Sequence, residues 1–112
     1  MGSYKLVVLT KPVEGREDEF NTWYTDQHLG DVLAIPGFAA AQRFKIKGDP
    51  VSPNPWSYFA VYEVEHENPQ VEVDDLMSRV GTDKMPMSDA MDENLYCVLY
   101  EPITPRVVAK TA

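Results

Sequence analysis

An imidazole exchanges protons near neutral pH more readily than any other side chain, so the two histidines of this 112-residue chain are its first candidates for acid–base chemistry. His28 stands near the end of the stretch EGREDEFNTWYTDQHL, close to Phe20, Trp23 and Tyr24. Tyr24 lies one helical turn before His28 and could donate a hydrogen bond to a developing enolate or phenolate oxygen. Asp31, three residues on, would reach the ring if the helical turn persists, fixing its tautomer and raising its basicity. The three together suit proton abstraction next to a carbonyl, followed by isomerisation, cyclisation or dehydration. The competing role for His28 is structural, closing the helix and bonding backbone.

Other side chains divide between core and ligand. Phe20 and Trp23 share helical spacing with Tyr24, so they serve as core or as an aromatic platform for a substrate. Arg43 falls in an otherwise apolar strand, where a guanidinium needs a carboxylate partner such as Asp31 or Glu19, or else a ligand anion. Tyr62, with Tyr58, Tyr96 and Tyr100, lies on neighbouring strands, lining a cavity or sealing a subunit contact. His66 stands between Glu65 and Glu67 with no second histidine at ligand spacing, so a solvated strand end is expected and no metal site. Cys97, the only cysteine, sits among Leu95, Val98 and Leu99 and is expected to be a buried, inert thiol. No Gly-rich phosphate loop or dinucleotide fingerprint occurs, so no nucleotide cofactor is expected.

Positioning these groups requires a scaffold. Tyr4–Thr10 (YKLVVLT) reads as a strand stopped at Pro12, with apolar residues on both faces. Glu14, Glu17, Asp18 and Glu19 crowd the start of a helix predicted over Val13–Leu29, complementing its dipole. On a helical wheel Phe20, Trp23, Tyr24, Gln27 and Asp31 share a face, with His28 at its margin. Gly30 and Pro36-Gly37 are expected to break this helix, with one further short turn over Asp31–Ala34. Strands follow over Phe38–Lys47 and Trp56–Glu65, separated by a proline-rich loop, Gly48–Pro55. A second helix is predicted from Pro69 to about Val80. Gly81–Asp92 is open between loop and short helix, and Asn94–Glu101 is the last strand. Residues 1–102 thus form a single domain, and 103–112 a tail or arm.

The order β-α-β-β-α-β predicts the α+β, ferredoxin-like fold: a four-stranded antiparallel sheet with two helices on one face. Tyr58, Ala60, Tyr62 and Val64 alternate with Phe59 and Val61, so neither face of the third strand is polar. An uncovered apolar sheet face predicts a homodimer through sheet faces.

Composition sets limits on partners. Ten basic residues against eighteen acidic ones give a formal charge of −8, which repels phosphate, so neither nucleic acid nor an anionic membrane is expected as a partner. Apolar runs reach only about five or six residues, against the roughly 20 that span a bilayer. With no signal-peptide pattern and one cysteine, a cytoplasmic location is expected. Aromatic residues make up 11% of the chain, more rings than a domain of this size hides comfortably, so some should line a cavity for a small apolar or aromatic ligand, or an interface.

The segment from Pro12 to Phe44 resembles the EthD-like branch of the dimeric α+β barrel superfamily. Glu19, Phe20, Trp23, Tyr24, His28, Leu29, Asp31, Pro36, Gly37, Phe38 and Arg43 carry the resemblance: a Trp-Tyr pair on the first helix, His-Leu four residues later, and a Pro-Gly-Phe turn into the second strand. Where the family commonly has proline after His-Leu, this chain has Gly30. The resemblance implies dimers whose sheets face each other, each subunit enclosing a pocket between sheet and helices. The superfamily includes cofactor-free monooxygenases, polyketide cyclases and dehydratases, muconolactone isomerases and haem-degrading enzymes. EthD itself is known mainly as an accessory in ether degradation. A haem role for His28 would require a basic cluster for the propionates, which this chain lacks.

The combined expectation is a cofactor-independent enzyme of small-molecule catabolism or secondary metabolism. It would use His28 as acid or base on an apolar, aromatic or polyketide-like carbonyl compound, as a lyase, isomerase, cyclase or monooxygenase. His28, Asp31 and Tyr24 are its expected catalytic residues, and Trp23, Arg43, Tyr62 and Phe20 its expected substrate contacts. The alternative is a non-catalytic accessory protein that uses the same cavity to bind a ligand.

Overall fold

The computed structural model describes residues 3–110. Four strands, β1 (Ser3–Thr10), β2 (Phe38–Lys45), β3 (Tyr58–Glu65) and β4 (Tyr96–Tyr100), form one sheet in the order β2-β3-β1-β4. All three pairings are antiparallel. The first helical body joins β1 to β2 in three consecutive segments: α1 (Glu17–Trp23), a π-helical turn (Tyr24–His28) and α2 (Leu29–Leu33). The second helix, α3 (Pro69–Arg79), joins β3 to β4 and has proline in its first turn, where the missing N–H costs nothing.

Alternation along β3 decides which way the sheet faces. Tyr58, Ala60, Tyr62 and Val64 are buried, in one cluster with Leu6 of β1, Phe20, Tyr24 and Val32 of the first helical body and Leu76 of α3. Both helices therefore cover the same sheet face. Phe59 and Val61 point the other way and are half-buried. Their partners across the ladders are Phe44 and Gln42 on β2, and Leu9 and Val7 on β1. Phe44 and Phe59 stack with ring centroids 4.6 Å apart on this open face.

Three predicted boundaries are corrected. The first helix begins at Glu17 rather than Val13, because Gly15 takes a left-handed conformation (φ +82°) in the turn before it. It also runs on through Gly30 to Leu33 instead of breaking there, and the chain turns at Pro36-Gly37. Gly37 has φ +96°, and a Cβ there would lie 2.7 Å from Cδ of Glu72, so that turn admits α3 only because the residue is glycine. β4 is shorter than expected, and residues 81–92 form no helix. That segment is nonetheless packed into the core through Met85 and Ala90, both fully buried.

His66 does more than end a strand. Its Nδ1 accepts from the Asn68 backbone N–H at 2.9 Å, and its Nε2 lies 3.4 Å from Oε1 of the buried Glu72. It therefore caps the same carboxylate that Gly37 admits. The tail after Pro102 has no regular structure and is exposed through Lys110, and its last two residues lie outside the described ones.

The π turn changes the face of the first helix. The backbone N–H of Leu29 bonds to the carbonyl of Tyr24, five residues back, so one extra residue is accommodated in the turn. A regular helix would place Phe20, Tyr24, Gln27 and Asp31 inward. With the extra residue absorbed, the inward series becomes Phe20, Tyr24, His28 and Val32, all buried, while Gln27 is exposed. Removing Gln27 should restore an ordinary α-helix with the same four side chains inward. A chain lacking Gln27 is expected to fold, with a thermal midpoint within about 4 °C of the parent, a shift worth roughly 1 kcal/mol in a domain this small. Circular dichroism melting checks this, and an unfolded product would contradict the assigned register.

Candidate functional site

His28 projects from the π turn back over the preceding turn, as helical side chains do. Its ring stacks on Trp23 (centroids 4.6 Å apart, planes 26°) and meets Tyr24 edge-on (4.9 Å, 90°). The Trp23 indole N–H donates to the Pro86 carbonyl at 3.1 Å, so the platform under His28 is tied to the 81–92 segment. His28 and Tyr24 both reach the wall of a cavity of about 130 Å³ between sheet and helices. Val8 and Cys97 contribute from the sheet, Tyr62 from β3, Leu76 and Met77 from α3, and Met87 and Met91 from the 81–92 segment.

The hydroxyls in this wall are ordered by a short chain of bonds. Tyr62 donates to the Tyr24 hydroxyl at 3.1 Å, which leaves the Tyr24 proton without an acceptor among the described residues. Burial pushes the pKa of both phenols up, so both remain protonated at neutral pH. Tyr24 is thus held as a hydrogen-bond donor just behind a cavity surface that is itself almost wholly apolar.

His28 is neutral for the same reason. Burial pushes its pKa down from 6.5 to about 4, Arg43 adds to the fall, and the Asp31 carboxylate opposes it. Nδ1 of His28 and Oδ2 of Asp31 are each buried without a hydrogen-bond partner. The expected His28–Asp31 hydrogen bond is thus not made in this conformation. Asp31 acts on the imidazole through its charge alone.

Arg43 departs from expectation. It pairs with neither Asp31 nor Glu19, and Glu19 is engaged by Arg16 instead. Its guanidinium lies 4.4 Å above the Tyr24 ring and donates to Thr25 Oγ1 (2.8 Å) and Asn21 Oδ1 (2.9 Å). Neutral side-chain oxygens and aromatic faces replace the carboxylate that its apolar strand was expected to require. Arg43 is not part of the cavity wall, and neither are Phe20 and Trp23. Of the seven residues singled out, the structure brings His28, Tyr24 and Tyr62 together around the cavity; Phe20, Trp23, Asp31 and Arg43 stand behind them. Cys97 is corrected too: it is not an interior thiol but is open to solvent in the cavity wall, although the atoms packed beside it push its pKa up. The sequence analysis missed Met77, which carried no signal of its own on α3, and Met87 and Met91, whose only sequence signal was the clustering of three methionines between residues 81 and 92. Among the described residues, no group of three His, Cys, Asp or Glu side chains is placed to hold a metal ion, and no helix is long and apolar enough to cross a membrane.

Several solved structures superpose on this chain. An EthD-family protein from Bacillus halodurans is 17% identical with a TM-score of 0.54, over 90% of this chain and 99% of that one. A candidate monooxygenase from Shewanella loihica is 14% identical with a TM-score of 0.60, over 93% and 97%. A dimeric ferredoxin-like protein of unknown function from Thermobifida fusca is 11% identical with a TM-score of 0.59, over 90% and 92%. No protein-family model matches the sequence, and no curated protein does. At these identities the likeness establishes the fold. The chain has the ferredoxin-like α+β fold found in EthD-family proteins, in agreement with the resemblance read from residues 12–44.

The depressed His28 pKa has a consequence for stability. Between pH 6.5 and about 4 the unfolded chain binds a proton at this histidine that the folded chain does not, so stability falls as pH falls through that window. The size of the loss is about 3 kcal/mol across the window. The ring resonances of His28 are expected to keep their neutral-imidazole shifts from about pH 8 down to about pH 5 in an NMR titration. A midpoint near 6.5 would show that the ring is solvated rather than buried.

Proposed function

We propose that this chain is a small-molecule enzyme in which His28 moves a proton on an apolar carbonyl or phenolic compound bound in the cavity. The observation that carries the reading is a neutral imidazole in the wall of an apolar cavity, its buried Nδ1 and Oδ2 of Asp31 both unpaired, next to a tyrosine O–H with no acceptor among the described residues. Neutral His28 accepts a proton from carbon next to the carbonyl, and the electron pair moves onto the oxygen. Tyr24 donates to that oxygen as its charge grows, with Tyr62 holding the Tyr24 hydroxyl in place. Return of the proton from His28 to a different carbon completes an isomerisation. Where the next carbon bears a hydroxyl, the electron pair returns from oxygen to form the new C=C bond and the hydroxyl takes the proton from His28 and leaves as water, which completes a dehydration. Pairing Nδ1 of His28 with Asp31 would satisfy both orphaned atoms and stabilise the imidazolium as it forms, so Asp31 is assigned as the orienting residue. Trp23 supports the imidazole from one side, and Arg43 and Phe20 support Tyr24 from the other.

A second reading, a non-catalytic binding or accessory protein, is favoured by one observation: a base with a pKa of about 4 is a weak one. Proton exchange separates the two. Hydrogen–deuterium exchange at the methyl carbon of acetophenone, followed by NMR, should be accelerated by the parent chain. It should fall by at least about 100-fold in His28→Ala, the usual scale of a general base, and by about 100-fold in Tyr24→Phe, the scale of a lost oxyanion donor. Binding without acceleration would favour the accessory role.

The working unit is proposed to be a homodimer formed through the open sheet faces. Val7, Leu9, Phe59, Val61 and the Phe44–Phe59 stack leave an apolar surface there that no helix covers. Val61→Asp would bury an unpaired carboxylate at the centre of that contact and should weaken dimerisation by at least about 100-fold in sedimentation velocity. An unchanged dimer would place the interface elsewhere.

A further inference from the structure

We infer that the cavity beside His28 selects an uncharged compound with a single ring and one oxygen at its inner end, and rejects the corresponding carboxylate. This rests on the reading of that cavity as a substrate site and narrows its substrate class by three separate arguments.

Size comes first. The cavity measures about 130 Å³, and an apolar cavity of about 150 Å³ is known to hold one benzene. One ring fills it, and two fused rings do not fit within it. Exposed Met77, Val80 and Leu95 stand at its rim.

Polarity comes second. Tyr24, His28 and Tyr62 carry the only oxygen and nitrogen side-chain atoms in the wall, and the Tyr62 proton is already given to Tyr24. These residues give the cavity almost no polar surface, so the Tyr24 O–H and the imidazole are the most that a ligand oxygen could meet. A single carbonyl or hydroxyl oxygen matches them, whereas a sugar or nucleotide would bury several polar groups without partners. The thioethers of Met87 and Met91 are polarisable and conform to the face or edge of a ring.

Charge comes third, and it separates this cavity from one built for acids. Among the described residues, no lysine or arginine lies in the wall. Arg43, the nearest cation to Tyr24, is held on the ring face by its bonds to Thr25 and Asn21, and is not in the wall. On the side of His28 the charged group is the Asp31 carboxylate, with Oδ2 buried and unpaired. An anion entering here would give up water, gain no cation and approach a like charge.

Cys97 supplies the readout. It is the only cysteine, it lies in the cavity wall, and it is open to solvent, so its rate of labelling by a disulfide reagent reports occupancy without any turnover. Acetophenone, benzoate and 2-acetonaphthalene are the probes, at neutral pH, on the full chain. Acetophenone should slow labelling of Cys97, while benzoate should need at least about 30-fold higher concentration for the same protection, and 2-acetonaphthalene at least about 10-fold. Equal protection by benzoate would overturn the charge selection, and equal protection by the naphthyl ketone would overturn the size limit. Protection by none of the three, with Cys97 freely labelled, would overturn the single-ring assignment altogether. Failure of the catalytic reading looks different: acetophenone protects Cys97 but its methyl protons exchange no faster than in buffer, an outcome that leaves the selection standing.

Discussion

The first helical body buries every fourth residue, and a helix of 3.6 residues per turn cannot keep such a series on one face for long. Phe20, Tyr24, His28 and Val32 would drift by about a third of a circle over that span in a regular α-helix. The π turn over Tyr24–His28 absorbs the drift by taking one extra residue. Everything that gives the cavity its chemical character depends on it. It swings His28 over the platform of Trp23 and beside Tyr24, and it turns Gln27 out to solvent.

Burial then sets the protonation states. The imidazole is held neutral and the two phenols protonated by one cause, the removal of water from their surroundings. Arg43 sits close enough to Tyr24 to stack on its ring, yet its hydrogen bonds to Asn21 and Thr25 keep it behind that ring. Its positive charge steadies the tyrosine without being offered to a ligand. A half-buried cation in a mostly apolar setting often signals an anion site, and here aromatic faces and neutral oxygens satisfy it instead.

Much of this was legible in the sequence. The alternation of Tyr58, Ala60, Tyr62 and Val64 with Phe59 and Val61 marked both faces of β3 as apolar, and the order of elements left one antiparallel topology for them. Tyr24 and His28 stood out by type and by their place near Trp23. The π turn was not legible, because a one-residue insertion leaves no residue-type signature of its own. Neither was the behaviour of Gly30, which sits inside the helix because packing of His28 and Val32 on either side holds the turn that a free glycine would loosen. Residues 81–92 have no periodicity to betray that Met85 and Ala90 enter the core while Met87 and Met91 line the cavity.

What the sequence determined by itself, then, is the part governed by local pattern: strand alternation, proline and glycine punctuation, a net charge that repels phosphate, and one histidine set among aromatic residues. Tertiary structure alone decided which of those residues meet. It made Arg43 a support for Tyr24 rather than a partner of Asp31, opened Cys97 to the cavity, and left Nδ1 of His28 and Oδ2 of Asp31 without partners. The physical reason is that a side chain's protonation and partners depend on the water removed around it and the groups brought near from distant parts of the chain. Neither is encoded in the spacing of its neighbours.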